Sequence, residues 1–228
     1  MNADIAKLRQ DMFDAIGPYP RDCVSFDGRR TMTGTAFFPA GDGLWKGDGN
    51  TDPTLPVGGI LFLGSDWGDN DSYDECGEGE ANGRTWRGLL KLVGLAGIAR
   101  NEIFCTNAWP CLRAGGRAVG GVVPGSRDPE FTSRCKVFFL RTLELMRPKL
   151  VVPLGKLPTS FIASLTPTEP SPWGKASSWR EIDPTPVWRC RDFNVVPIVH
   201  PSMPNHRYRQ FAKTIEAEAA LVRSVLAR

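Results

Sequence analysis

Three polar signatures each stand where an apolar run ends. They are Gly64-Ser65-Asp66-Trp67-Gly68 after Ile60 to Leu63, Asn107 after Ile103 to Cys105, and His200-Pro201-Ser202 after Val195 to Val199. A carboxylate can position water or stabilise developing positive charge. An Asn amide sets a donor beside an acceptor, and an imidazole can donate a hydrogen bond to an oxygen that gains charge. In open α/β sheets ligands bind beyond the carboxyl ends of the strands, so these three ends can face one cleft. Each residue also has an ordinary use. Asp66 can cap a loop or helix, Asn107 can satisfy turn backbone, and a single His before Pro-Ser can be a surface or capping residue.

The elements that must hold these residues follow from hydrophobic periodicity. Ile5, Leu8, Met12 and Ile16 predict a helix over 3–16, ended by Gly17-Pro18. Residues 18–58 are rich in Gly, Pro and Asp and predict irregular structure, with a short hairpin near Thr35 to Phe38. From Ile60 the pattern becomes regular: a strand, a helix over 85–96 with Trp86, Leu89, Leu90 and Val93 on one face, and a strand over 102–106. A Gly-rich connection then leads to a helix carrying Phe131, Cys135, Phe138, Thr142 and Met146, a strand over 150–154 and a short helix over 158–164. A Pro- and Trp-containing loop runs to residue 190, followed by a strand over 195–199 and a helix over 210–226.

Strands alternating with helices imply parallel pairing with right-handed crossovers. The expected fold class is α/β: a single-domain three-layer α/β/α arrangement with a central parallel sheet of about four strands. Residues 59–228 form that domain, and residues 1–58 form an N-terminal helix and irregular extension packed on it. Pro153 breaks the pattern, because a proline inside a strand removes a ladder donor.

Of the 228 residues 41% are hydrophobic, and 28 Lys and Arg face 25 Asp and Glu, a balance too even to announce a polyanionic partner by itself. No stretch approaches the roughly 18 apolar residues of a membrane-spanning helix. Asp4, Lys7, Arg9 and Asp11 interrupt any signal-peptide core. A cytoplasmic, monomeric protein with no membrane partner is therefore expected. Cys23, Cys76, Cys105, Cys111, Cys135 and Cys190 are scattered through a chain too long to need disulfides, so reduced thiols are expected.

Five pieces in register carry a resemblance. Gly64 to Gly68, Gly83-Arg84-Thr85-Trp86-Arg87-Gly88, Asn107-Ala108-Trp109-Pro110-Cys111, Pro148 to Gly155 and His200-Pro201-Ser202 resemble the uracil-DNA glycosylase superfamily from about Ile60 onward. The first 58 residues are unmatched. The resemblance implies a DNA repair enzyme that flips uracil out of DNA and hydrolyses its N-glycosidic bond, leaving an abasic site. Uracil-containing DNA is then the partner. No lysine lies within the three polar signatures to form a Schiff base, so a monofunctional enzyme is expected.

The same resemblance assigns roles. Asp66 and His200 become catalytic: the carboxylate acts at the cation-like sugar and its water, and the imidazole at the uracil carbonyl that gains charge. Gly64, Ser65, Trp67, Trp86 and Asn107 become substrate-binding, with Asn107 matching N3–H and O4 of uracil and Trp86 stacking on the flipped base. Trp86 equally suits an apolar helix face. Ser202, Met203 and Arg207 become DNA-binding, joined by Arg209, with Arg113, Arg117 and Arg127 as a second basic patch. Family 1 reads Gly-Gln-Asp-Pro-Tyr and the iron-sulfur families read Gly-Glu-Ala-Pro-Gly. This chain has the Asp of the former and the final Gly of the latter, so exclusion of thymine falls to Trp67 or Tyr73, or is weak.

Cys111 and Cys135 fall at two of the four cluster-ligand positions of the iron-sulfur families. The N-terminal Cys pair is missing, only Cys23 lies in that region, and nothing in the spacing argues for Cys190 as a further ligand. No cofactor and no metal are expected. Two other readings stay open. The acids Asp66, Asp69, Asp71, Asp74, Glu75, Glu78 and Glu80 could hold a divalent cation in a metal-dependent hydrolase. The fold could also bind uracil- or abasic-site DNA without turnover.

Overall fold

The structure, a computed structural model, describes residues 14–25, 55–69, 84–115, 123–165, 182, 187–202 and 212–227. The predicted N-terminal helix is seen only at its end, residues 14–16. The hairpin predicted near Thr35 to Phe38 lies outside the described residues.

The continuous apolar runs became buried strands. β1 (Cys23–Val24) pairs antiparallel with β4 (Leu112–Arg113) as a small ribbon. β2 (Ile60–Gly64), β3 (Ile103–Asn107) and β5 (Leu150–Pro153) are buried at every residue, as strands covered on both faces must be. With β6 (Trp188–Cys190) and β7 (Phe193–Val195) they form a five-stranded sheet in the order β3-β2-β5-β7-β6. β2, β3, β5 and β7 run parallel, and β6 pairs antiparallel at the edge.

The edge strand adds a fifth member to the expected sheet. Its hairpin turn at Arg191, with φ of 52°, lacks the Asn-Gly type of sequence that announces such turns. Three residues with only Trp188 and Cys190 turned inward gave too short an alternation to read.

Pro153 now has an explanation. In a parallel ladder a residue's N–H and C=O project to the same side, and the Pro153 carbonyl accepts from Ile198 N–H at 3.1 Å. Its missing donor therefore faces β7. There the regular ladder ends after Val151 and Val195 and resumes only as an isolated bridge between Leu154 and Ile198.

Helices cover the sheet. α1 (Arg84–Ala96) buries Trp86, Leu89, Leu92, Val93 and Ala96, with Leu92 replacing the expected Leu90. α2 (Pro129–Met146) starts at Asp128, whose side chain accepts from Phe131 N–H at 2.8 Å. It buries all five residues of its predicted face. α3 (Lys156–Ala163) follows directly on Gly155. α4 (Ile215–Leu226) begins later than the periodicity predicts, because Thr214 caps it through Ala217 N–H at 3.1 Å and Ala212 has a positive φ that no helix accepts. α1 packs against α4, and Lys91 pairs with Glu216 across them at 3.2 Å. None of the described helices is long and apolar enough to cross a membrane.

From β2 the chain moves to β3 on one side, then returns across to β5 on the other. That reversal is a topological switch point, so the crevice for a ligand opens at the carboxyl ends of β2 and β5.

Candidate active site

The first two signatures fold as one unit. β2 and β3 stay in register to their last pair, Gly64 and Asn107, and their loops go on exchanging backbone bonds beyond it. Ala108 and Trp109 N–H donate to the Gly64 and Ser65 carbonyls, each at 2.9 Å. Trp67 N–H donates to Cys111 O at 3.1 Å, and Arg113 N–H to Gly68 O at 2.8 Å. Gly64 and Ser65 thus spend their carbonyls on holding the second signature in place.

Within this unit the Asp66 carboxylate is 4% exposed and faces a guanidinium. Arg113 donates from Nε to Oδ2 at 2.5 Å and from Nη2 to Oδ1 at 3.0 Å, a two-pronged, charge-assisted contact. Gly68 N–H adds a longer bond to Oδ1 at 3.4 Å, so Asp66 also serves its own turn. Burial pushes the carboxyl above its ordinary range, and Arg113 pulls it back. Arg113, expected in a basic DNA-facing patch, is committed to Asp66; Arg127 is exposed at the end of a short turn, residues 124–127.

Asn107 is 3% exposed. Oriented to meet its neighbours, its amide donates to the Asp66 carbonyl at 3.2 Å and accepts from the Trp67 indole N–H at 2.5 Å. Since the group has two donors and two lone pairs, one of each remains. Trp67 itself is buried.

His200 lies five residues past the end of β7, the strand two places from β2 in the sheet order. Its Nδ1 accepts from Ser202 N–H at 3.3 Å and lies 2.7 Å from Ser202 Oγ. A backbone N–H can only donate, so Nδ1 is the unprotonated nitrogen and Nε2 carries the hydrogen. Burial holds the imidazole below its ordinary pKa, which keeps it neutral. Ser202, expected to meet phosphate, turns its hydroxyl to His200.

Three residues that the sequence did not single out position this third signature. A Cβ on Gly88 of α1 would lie 2.5 Å from the Pro201 carbonyl oxygen, so the helix and the His200 loop touch through a missing side chain. Gly155, with φ of +93°, donates to Ile198 O at 2.9 Å, and a Cβ there would stand 3.5 Å from His200 Cβ. Glu218 of α4, 2% exposed, accepts from Val199 N–H at 2.7 Å. A glycine inside a helical pattern and an acid on an apolar stripe were the available signals.

Trp86 is buried among the core residues of α1. Met203, Arg207, Arg209, Tyr73, Arg117 and the acids from Asp71 to Glu80 lie outside the described residues; Asp69 is buried.

The thiols bear on the iron-sulfur cluster raised by the resemblance of Cys111 and Cys135 to ligand positions. The Cys111 thiol donates to Cys23 Sγ at 3.4 Å, and Cys135 is buried beside them on α2. Tyr19, its hydroxyl pushed up to about 12 by burial, packs on Phe131 in the same region. Cys190 lies in β6, at the sheet edge opposite β3. An iron-sulfur cube sits between four thiolates. Among the described residues three thiols, Cys23, Cys111 and Cys135, come together here, with Tyr19 and Phe131 in the same region, while Cys76 lies outside the described residues. Burial pushes the Cys135 thiol well above its ordinary pKa, as in an apolar packing position.

The uracil DNA glycosylase superfamily model matches residues 49–222. A type-4 uracil-DNA glycosylase of Sulfurisphaera tokodaii is 25% identical over 171 residues, covering 70% of this chain and 67% of its own length. That of Thermotoga maritima is 26% identical over 156 residues, 68% of each chain. That of Saccharolobus solfataricus is 28% identical over 130 residues, 52% of this chain and 51% of the relative, so the match there spans about half its length. With a mostly parallel five-stranded sheet and a family match over residues 49–222, the chain belongs to the uracil DNA glycosylase superfamily.

Proposed function

We propose that this protein is a monofunctional uracil-DNA glycosylase that takes uracil out of the DNA stack and hydrolyses its bond to deoxyribose. Breaking that bond leaves an anion on the base and a cation-like sugar, so the site needs a donor at one end and an anion with water at the other. The observation that supports the proposal is that Asp66 and His200 both follow the carboxyl ends of parallel strands of one sheet, with His200 Nδ1 accepting from Ser202 N–H so that Nε2 carries the hydrogen.

In this reading the Nε2–H stabilises the uracil carbonyl that gains charge, as an oxyanion-hole donor does. Asp66 stabilises the sugar and orients the attacking water. The remaining donor and acceptor of Asn107 match the N3–H and O4 edge of uracil and mismatch cytosine. Ser202, Met203 and Arg207 contact the DNA backbone and the vacated stack. The reaction needs no lyase step, since no lysine lies within the three polar signatures.

A labelled oligonucleotide with a single uracil, treated with alkali after incubation, tests this. Cleavage by the wild-type chain that is lost in Asp66→Asn and His200→Ala supports hydrolysis by these two groups. Retarded but uncleaved DNA would mean a binding protein on the same fold, and activity abolished by chelation would mean a metal-dependent hydrolase.

A further inference from the structure

Arg113 stands out among the charged residues because its backbone and its side chain are both committed. Its backbone pairs with Cys23 of β1 on one side, donates to Gly68 O, and forms a bridge with Asp69 on the other. Ala114 N–H donates to Asp22 O at 3.0 Å, extending the same ribbon. Its side chain, 18% exposed, then reaches Asp66 with two nitrogens. A surface arginine that swings to a phosphate has neither a pinned backbone nor a buried carboxylate in its fork.

From this we infer that Arg113, braced by the N-terminal strand β1, is a positioning residue that holds Asp66 as an oriented anion at the mouth of the crevice. The inference rests on the glycosylase reading above and adds to it a task for the N-terminal segment. A carboxylate as buried as Asp66 is disfavoured as an anion by loss of solvent. The guanidinium offsets that penalty, and its planar fork fixes the plane of the carboxylate, which a lysine cannot do. Other groups facing the pair are Asp69 and the thiols of Cys23 and Cys111, none of which supplies positive charge.

The test compares wild type, Arg113→Lys and Arg113→Gln in steady-state uracil release across pH, with the salt dependence of DNA binding and the carbon-13 titration of the Asp66 carboxyl measured beside it. The expected result is a fall in kcat of tenfold or more for Arg113→Gln, an acid limb moved upward by one to three pH units, as for a carboxylate losing its cation, and partial recovery in Arg113→Lys. The slope of DNA affinity against salt stays unchanged. An unmoved acid limb and carboxyl titration, or a lower salt slope with kcat intact, overturns the inference, the latter because it marks a phosphate contact. If the wild-type chain releases no uracil, the glycosylase reading fails instead, and the carboxyl titration alone upholds or overturns the role of Arg113.

Discussion

A Cβ placed on Gly88 would come within 2.5 Å of the Pro201 carbonyl oxygen and 2.9 Å of the Pro201 side chain. The helix and the loop that carries His200 are therefore spaced by the absence of a methyl group. In Gly88→Ala the backbone must move, since no flexible side chain is there to yield. The expected cost is about 1–3 kcal/mol, seen as a drop of several degrees in Tm. Displacing the loop should lower kcat by about tenfold to a hundredfold. A kcat within twofold of wild type would show that the spacing does not govern His200.

Removing the imidazole tests the donor directly. His200→Ala should lower kcat about 100- to 1000-fold with little change in DNA affinity, the range for loss of one oxyanion donor. Ser202→Ala should cost less, because the Ser202 N–H that sets the tautomer remains. Single-turnover excision with parallel binding measurements separates the two effects.

Glu218 offers a different kind of test. Glu218→Ala leaves Val199 N–H buried without its acceptor, at an expected cost of about 1–3 kcal/mol. Glu218→Gln keeps an acceptor oxygen and should lose less. Urea denaturation of the two variants, with excision rates, checks whether the end of β7 depends on that bond.

The pH dependence of stability has opposite signs at Asp66 and His200. His200 has a lowered folded pKa, so its contribution is complete above the unfolded value of about 6.5 and is lost as pH falls through the folded one. Asp66 has a raised folded pKa, so its contribution is present below the unfolded value of about 3.9 and disappears as pH rises through the folded one. Denaturation midpoints across pH 4–7 should therefore fall less steeply on acidification in His200→Asn than in wild type. In Asp66→Asn the loss of stability as pH rises from about 4 should be absent.

If the three neighbouring thiols pack as small apolar groups, Cys135→Ala should fold and keep activity within a few-fold, at a cost of about 1 kcal/mol. The purified protein should carry no stoichiometric iron. Iron analysis with thermal melting checks both, and a brown protein that bleaches in the variant would reverse this reading.

How far the sequence reached follows from the physics of each part. β2, β3, β5 and the face of α2 were legible because long apolar runs and helical spacing admit few alternatives. β6 escaped because three residues and an unmarked turn give almost no period. The start of α4 was misplaced because an apolar stripe continues past the cap at Thr214. The grouping of Asp66, Asn107 and His200 at one sheet end followed from strand order, but the partner of Asp66 did not. Arg113 is far off in sequence, and only the lacing of two loops brings its guanidinium to the carboxylate. Ser202 and Asn107 were recognised as important, yet their bonds to His200 and Trp67 depend on local geometry that residue types alone do not encode.

Pro153 also indexes the sheet. With Val196 and Ile198 N–H turned toward β5, Pro197 faces away, beyond the last pair of β6, so neither imide nitrogen opposes a neighbour that requires a donor except at the single gap beside Pro153. Sliding β7 by one residue would swing Pro197 inward, forfeit the bonds made by its two neighbours and carry the imidazole about 3.3 Å along the strand. Two prolines without an N–H thus act as detents, setting how far the His200 loop projects past the end of the sheet.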